Sequence, residues 1–281
     1  MTSGTSTPRR NGEAGDFPWW LVVAAAIAVV LAVLIAINGI YSQIFSIVSR
    51  GIGITIFVTL VGFALATAIG LGLAVMGLSR HLVLRQIARF YVEIIRGIPI
   101  LVLLFYIAFV GAPGFVAAWN FLAAPLFAAG LAEPLLVRDV SLLWRAIIAL
   151  TIGYSAFISE VFRAGILAVD AGQIEAAKAL GLTPFQRFRL IVLPQAIRTI
   201  LPPLGNDFIA MIKDSSLVSV LGVADLTQMG KVYASGSFRF FETYSIVAYV
   251  YLLLTVSLSL ALRALEKRLR RADRRQGQAG V

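Results

Sequence analysis

Long apolar runs limit the possible folds of this chain more than any other feature. Residues 19–37 form an apolar run close to the ~20 residues that cross a hydrocarbon core of ~30 Å. Five further runs of sufficient length cover residues 52–78, 90–111, 142–168, 192–213 and 244–264. A backbone in lipid must satisfy its own hydrogen bonds, which a helix does. The sequence therefore predicts an all-α integral membrane protein with about six transmembrane helices.

The composition agrees with a membrane protein and excludes several kinds of site. Apolar residues make up 59% of the chain and charged residues 14%, which is not the balance of a single water-soluble fold. The chain has no cysteine, so disulfides, thiolate metal sites and cysteine nucleophiles are excluded. With His81 as its one histidine, the chain is not expected to hold a metal.

The net charge of +10 raises the question of a nucleic-acid partner. The basic residues, however, are dispersed between the apolar runs and concentrated in residues 263–275. Contact with anionic lipid and control of membrane orientation explain this pattern better, so no nucleic-acid partner is expected.

The distribution of basic residues also predicts the orientation of the chain. If both termini are cytoplasmic, most basic residues between the spans lie inside, as the positive-inside rule requires. Residues 1–18 are then a disordered cytoplasmic tail and residues 269–281 a basic cytoplasmic tail. Residues 19–40 are interpreted as an uncleaved transmembrane anchor. A signal peptide is the alternative, but its apolar core is shorter and ends at a small-residue cleavage site.

The segment between residues 112 and 141 is predicted to be an outer loop. It contains an apolar stretch, 117–130, of fourteen residues interrupted by Pro125, which is too short to span. We expect an interfacial or re-entrant helix there. A seventh crossing is the alternative and would invert the orientation of everything that follows.

Two local patterns concern helix geometry. Ala66, Gly70 and Ala74 repeat every four residues and place small side chains on one helical face, which favours close packing of a neighbouring helix. Arg96-Gly97-Ile98-Pro99 weakens the third span near its inner end. Pro99 is predicted to kink the helix, with Arg96 reaching toward the headgroups; a hinge is the second interpretation.

A polar loop, residues 169–191, separates the fourth and fifth spans. Ala171–Leu180 favours a short helix, and Gly181 suits the left-handed conformation that ends one. Thr183 can cap a second short helix that has Pro184 at its first position. Two short helices joined at a glycine would form a projecting knob. The alternative is an amphipathic helix lying on the headgroups.

The spacing of this loop carries a family resemblance. Glu175-Ala176-Ala177, three residues, Gly181, nine residues and then Ile191-x-Leu193-Pro194 match the signature of the membrane subunits of ABC importers. Over residues 51–268 the chain resembles the transmembrane domain of a type I, binding-protein-dependent importer. The segments 91–99, 172–177, 193–196 and 205–217 are similar to the polar amino acid uptake class. Ile98 and Leu103 depart from it, since that class usually has Thr and Gln at these two positions.

The resemblance implies a permease subunit in the bacterial inner membrane, with a five-helix core and an added N-terminal anchor. Its implied partners are cytoplasmic ATPase subunits, a second permease that is identical or homologous, and an extracytoplasmic amino-acid-binding protein. The residues implied to couple the permease to the ATPase are Glu175, Ala176, Ala177, Gly181, Leu182, Thr183 and Pro184.

The sequence also bears on enzymatic activity. It lacks a G-x-x-x-x-G-K-[ST] phosphate loop, because Gly230-Lys231 is followed by Val232. No catalytic residues and no cofactor are therefore expected in this chain, and ATP and Mg are expected on the partner ATPase.

Charged and polar residues within spans point to a substrate path, because intramembrane charges face a bundle interior or an aqueous path. Glu160 in the fourth span and Asn206 and Asp207 in the fifth are the candidates. Glu160 lies three residues before Arg163, and the two could instead neutralise one another. Pro202 and Pro203 are predicted to break the fifth span beside the polar pair.

Three other functions remain open at this point. The importer could carry another small polar solute. A secondary transporter would work without an ATPase but often contains internal repeats, and none is evident. A membrane-embedded enzyme would need a nucleophile with a plausible base, which the scattered acids and one histidine do not supply.

Overall fold

The computed structural model describes residues 19–278, so the predicted tail 1–18 lies outside the described residues. The described part consists of helices, turns and short loops and contains no strand. Its helices are α1 (Trp19–Ile37), α2 (Gly39–Ser49), α3 (Ile52–Gly77), α4 (Leu82–Gly97), α5 (Ile100–Tyr106), α6 (Ala112–Leu122), α7 (Ala124–Ala128), α8 (Leu142–Leu167), α9 (Ala171–Ala179), α10 (Pro184–Arg187), α11 (Leu193–Asp214), α12 (Leu226–Ser237) and α13 (Phe240–Gln278). π-Helical turns at Ile107–Gly111 and Phe188–Val192 and 3₁₀ turns at Val137–Asp139 and Ser215–Leu221 complete the chain path.

Four helical runs within residues 19–278 are long and apolar enough to cross a membrane. They are Gly39–Gly77, Ile100–Leu122, Leu142–Leu167 and Phe240–Ala264. The predicted first and fifth spans are also helical, as α1 and α11. The all-α membrane fold is therefore confirmed at this level.

The predicted bounds of the third span, 90–111, are wrong. Helix α4 ends at Gly97, and Ile98 is extended with φ −101° and ψ 129°. This is the conformation that a following proline imposes on the preceding residue, so Pro99 separates two helices instead of kinking one. A continuous helical run then extends from Ile100 through a π turn to Leu122.

This run also corrects the interpretation of the outer loop. The stretch 117–130, predicted to be an interfacial or re-entrant helix, is divided between the end of the Ile100–Leu122 run and the short helix α7. Apolar residues on both sides of the π turn allow one helix to reach the full span length. The outer loop between the Ile100–Leu122 run and α8 therefore covers residues 123–141 and is shorter than the predicted 112–141.

The centre of the protein is the packing of α3 against α8, as the small-residue pattern predicts. Ala66, Gly70 and Ala74 are all buried. A methyl group added at Gly70 would lie 2.9 Å from Ile158 Cγ2 and 3.0 Å from the Ser155 carbonyl oxygen. The absence of a side chain at Gly70 thus lets the backbones of α3 and α8 approach closely.

Helices α11 and α13 pack outward from this centre through two further glycines. A methyl group at Gly165 of α8 would lie 2.3 Å from Ile200 Cγ1 of α11. One at Gly205 of α11 would lie 2.4 Å from Leu262 Cδ1 of α13. Close contacts at these glycines therefore join α3 to α8, α8 to α11, and α11 to α13.

A buried carboxylate holds α12 in place beside the start of α3. Asp225 is fully buried and accepts hydrogen bonds from the backbone N–H groups of Gln228 and Thr227, at 2.8 and 3.2 Å. The Tyr251 hydroxyl of α13 donates to the same carboxylate at 3.3 Å. The backbone N–H of Leu226 donates to Thr55 Oγ1 of α3 at 3.2 Å. One helix cap thus joins three helices.

Candidate coupling loop and membrane groove

Helix α9 has a hydrogen-bonded cap at each end, and the one at its C-terminal end is predicted from the sequence. At its start, Asp170 Oδ1 accepts from the backbone N–H of Gln173 at 3.2 Å. At its end, Gly181 has φ +75°, and its N–H donates to the Lys178 carbonyl at 2.9 Å. The Leu182 N–H donates to the Ala177 carbonyl at 3.1 Å. These two bonds form a Schellman motif, so the left-handed glycine is confirmed.

The next helix has Thr183 as its N-cap, also as predicted. Thr183 Oγ1 accepts from the Gln186 N–H at 3.3 Å, and Gln186 Oε1 accepts from the Thr183 N–H at 2.9 Å. This reciprocal pair is a capping box, and Pro184 occupies the first helical turn, where its missing N–H has no cost.

The second helix of the loop is not a separate short helix, contrary to the prediction. Helix α10 continues through the π turn Phe188–Val192 into α11 without leaving the right-handed helical conformation. The loop after Gly181 is therefore the first part of a helical run from Pro184 to Asp214. Gln195 of this run donates to Gln173 Oε1 at 2.6 Å and ties α9 to it.

The surface of this loop is partly apolar and exposed. Ala177 packs inward with 3% of its surface exposed, whereas Leu180 and Phe185 are 81% and 70% exposed. Glu175 and Ala176 are exposed on α9 as well. Large apolar side chains exposed in a group mark a protein or membrane interaction site.

The candidate path residues are only partly brought together. Glu160 of α8 and Asp207 of α11 line one groove of about 620 Å³. Asn206 is exposed but does not line that groove. Consecutive residues of a helix point in directions about 100° apart, and of this pair Asp207 is the one that lines the groove.

Glu160 forms an ion pair with Arg163 one helical turn away. Arg163 Nε donates to Glu160 Oε1 at 3.0 Å, and Nη2 donates to Oε2 at 2.6 Å. The two side chains are 32% and 42% exposed. The mutual neutralisation considered from the sequence is thus present, and the charge of Glu160 is largely compensated.

Arg96 is a groove residue that the sequence did not single out as part of the path. It lines the same groove as Asp207, with its guanidinium carbon 5.7 Å from the centre of the Phe157 ring. The signal in the sequence that could have identified Arg96 is its position next to the Gly97–Pro99 helix break. The break ends α4 at Gly97 and leaves Arg96 in the last turn, facing α8.

Asp207 stands in a continuous helix, not in an unwound segment. Pro202 and Pro203 lie inside α11 without interrupting it, so the predicted break is not found, and a kink at these prolines stays a prediction. Asp207 is half-buried, and its Oδ2 has no hydrogen-bond partner among the residues that the structure describes. The groove therefore contains a carboxylate that no described residue compensates.

Glu160 also lines a second cavity of about 450 Å³. Its charged lining residues are Arg89, Glu93, Glu160 and Arg163. It adds no metal site, since the described residues contain no group of three or more His, Cys, Asp or Glu side chains that could hold an ion.

The comparison with known families decides the class of the protein. Residues 66–271 match the family described as the binding-protein-dependent transport system inner membrane component. The chain belongs to this family. The permease is accordingly a multi-pass membrane protein, and its resemblance to importer membrane subunits is confirmed.

Individual relatives agree with this assignment. The permease is 37% identical over 211 residues to the probable amino-acid permease protein YxeN of Bacillus subtilis, covering 75% of this chain and 86% of the relative. It is 35% identical over 224 residues to the glutamine transport system permease protein GlnP of Escherichia coli, covering 79% and 92%. A crystal structure of an amino acid ABC transporter with histidines is 36% identical, with a TM-score of 0.66, and the match covers 81% of this chain and 95% of that one.

Proposed function

We propose that this permease forms the transmembrane path of an ATP-driven importer of polar amino acids. Relatives more than a third identical over most of their length are an amino-acid and a glutamine permease. A groove lined by Arg96 and Asp207 offers both signs of charge to a ligand. Both observations favour a substrate that is small, polar and carries an amino and a carboxyl group.

The helix order supports six crossings with both termini in the cytoplasm. The spans are α1, α2 with α3, α5 with α6, α8, α11 and α13, taken in alternating directions. The α9 loop then lies inside, and α12 lies outside. A binding protein delivering substrate would meet the outer side, which includes α12 and the loop after α7.

The α9 loop is the proposed docking site for a cytoplasmic ATPase. Its exposed Leu180 and Phe185 stand beside exposed Glu175, a mixed surface suited to a protein groove. ATP and Mg would bind to that partner, and this chain would contribute the docking contacts. A second permease, identical or homologous, would complete the path.

The single observation that carries the mechanism is the helical run from Pro184 to Asp214. It has the proposed docking surface at one end and the groove residue Asp207 within it. Movement of the loop with its partner therefore moves the groove wall. ATP can shift such an equilibrium only by its different affinity for the two states, and the loop transmits that difference.

Two measurements on one strain test the proposal. Affinity purification of the tagged permease should bring down an ATP-hydrolysing subunit. Uptake of a panel of labelled amino acids should fall when the permease gene is deleted and return on complementation. A normal panel would overturn the amino-acid assignment and leave the importer architecture standing, whereas an absent ATPase would favour a secondary transporter.

A further inference from the structure

A further groove, here named the Arg145 groove, lies where the Ile100–Leu122 run packs against the start of α8. It encloses about 290 Å³, and the residues that line it are small or apolar apart from Arg145. Lining residues recur about one turn apart on both segments and include Ile107, Gly111 and Phe115 on the run and Arg145, Ile148 and Ile152 on α8. Because both segments are membrane spans, the groove extends across the membrane.

Arg145 lies at the end of this groove nearest the membrane surface. It belongs to the first turn of α8, where the span Leu142–Leu167 begins. Ile152 follows two turns later and lies about 10 Å deeper, from the rise of an α-helix. The groove therefore has a cation at the level of the headgroups and an apolar part at the depth of the acyl chains, which is the order of these groups in a phospholipid.

The charge of Arg145 is not neutralised by the described residues. Its side chain is buried, with 8% of the residue exposed. Its Nε donates to the Val140 carbonyl at 2.8 Å, its Nη1 to the Ala108 carbonyl at 3.1 Å, and its Nη2 to the Val137 carbonyl. Carbonyl groups carry no net charge, and no described carboxylate forms an ion pair with Arg145. One N–H of each Nη is left over, so this buried cation is suited to a ligand that brings an anion.

We infer that the Arg145 groove binds a phospholipid, with its phosphate at Arg145 and one acyl chain packed over Gly111 toward Ile152. A guanidinium binds phosphate through paired N–H donors, and the apolar lining suits methylene groups. A helix of a second permease, about 10 Å across with its side chains, could cover this groove but not enter it. The inference concerns neither the transported substrate nor the ATPase and so goes beyond the proposed function. In the proposed orientation, the lipid belongs to the outer leaflet and joins the Ile100–Leu122 run to α8.

Native mass spectrometry of the delipidated permease in detergent tests this inference by measuring the affinity for the first bound lipid. The probes are phosphatidylglycerol, the diacylglycerol with the same two chains, and inorganic phosphate. Phosphatidylglycerol should bind about tenfold to a hundredfold more tightly than the diacylglycerol, because it brings the phosphate. It should also bind far more tightly than inorganic phosphate, which has no acyl chain.

A matched pair of glycine variants tests the apolar part of the groove. Gly111→Leu places a side chain in it and should lower the affinity for phosphatidylglycerol about tenfold or more. The nearest neighbours of its new Cβ are Ile107, at 3.4 Å, and the Tyr106 carbonyl, both in the same helical run, so the fold should tolerate the change. Gly114→Leu is the control, since it lies outside the groove with nothing within 4 Å of its Cβ, and should leave the affinity unchanged.

Variants of Arg145 test the phosphate end. Arg145→Gln should abolish most of the preference for phosphatidylglycerol over the diacylglycerol, whereas Arg145→Lys keeps the charge and should retain part of it. This preference is a ratio within one variant, so a general loss of folded protein cancels.

Four results would each overturn the inference. They are equal affinities of wild type for phosphatidylglycerol and the diacylglycerol, a preference that survives Arg145→Gln, equal effects of the two glycine variants, and inorganic phosphate binding as tightly as the lipid. A fifth would assign the groove to a second copy of the chain. Because the chain has no cysteine, Ile148→Cys introduces a single thiol beside the groove, and rapid formation of a disulfide-linked dimer in membranes would show that another permease covers it. With a lipid in the groove, this variant should stay monomeric under the same oxidation.

Discussion

The Tyr154 hydroxyl of α8 donates a 2.7 Å hydrogen bond to Oδ2 of Asp214, the last residue of α11. Tyr154 is buried, and Asp214 is partly buried. The bond joins the middle of the central helix to the end of the run that begins at the α9 loop. It fixes α11 at one end, as the Gly165–Ile200 contact fixes it nearer the other.

Tyr154→Phe should destabilise the permease by about 1.5–3 kcal/mol, because it leaves a partly buried carboxylate without its donor. Thermal unfolding of the purified protein in detergent measures the loss. Asp214→Asn retains an acceptor oxygen and should cost less. Equal unfolding temperatures for Tyr154→Phe and wild type would show that the bond contributes nothing.

Gly70→Ala should destabilise the α3–α8 packing by about 1–3 kcal/mol, because the new methyl group would contact Ile158 and the Ser155 backbone. Gly72→Ala is a matched control on the same helix, since nothing lies within 4 Å of its added methyl group. The unfolding temperature should fall for the first and stay level or rise for the second. The same decrease in both variants would show that the contact with Ile158 and the Ser155 backbone is not its cause, since alanine has the higher helix propensity.

Gly181→Val should disrupt the end of α9, because a β-branched residue is strained at φ +75°. We expect weaker co-purification of the ATPase with near-normal amounts of permease in the membrane, since the loop is exposed. Gly181→Asn is the control, as asparagine tolerates the left-handed region better. Full ATPase recovery with Gly181→Val would show that this turn geometry is not needed for docking.

Glu175→Lys should lower both ATPase recovery and amino-acid uptake at least severalfold, because it reverses an exposed charge in the proposed docking surface. Glu133→Lys makes the same change at an exposed position in the loop after α7 and should leave ATPase recovery unchanged. Normal uptake by Glu175→Lys would remove this residue from coupling.

Asp207→Asn should reduce amino-acid uptake more than Glu160→Gln, because Arg163 already compensates Glu160 and nothing described compensates Asp207. Glu160→Gln should change stability by less than about 1 kcal/mol, as expected for a partly exposed ion pair. Initial uptake rates in whole cells, corrected for the amount of permease, provide the comparison. Unchanged rates for both variants would exclude these residues from the substrate path.

Local signals in the sequence predicted the turns and caps well. The left-handed Gly181, the Thr183 cap and the small residues facing α8 each depend on neighbours a few positions away, and each is found as predicted. The importer family was also predictable, because its signature spacing lies in one short loop.

Features that depend on several helices were not predictable in this way. The sequence around Pro99 indicates a weak point, but whether a proline kinks or ends a helix depends on what the flanking segments pack against. Pro202 and Pro203 showed the opposite outcome, with α11 continuous through both. Arg96 was missed as a groove residue because only the packing of α4 against α8 brings it to Asp207's groove.

The unbroken helix from Pro184 to Asp214 has a mechanical consequence. A displacement at Pro184 travels along one helix toward Asp207, and this helix can bend at the π turn Phe188–Val192 and at Pro202 and Pro203, where the regular hydrogen-bond pattern is interrupted. The Tyr154–Asp214 hydrogen bond and the Gly165–Ile200 contact hold this helix against α8 on either side of Asp207. A substitution that adds or removes a bend between Pro184 and Asp207 should therefore weaken the coupling between the cytoplasmic face and the groove while leaving each end correctly folded.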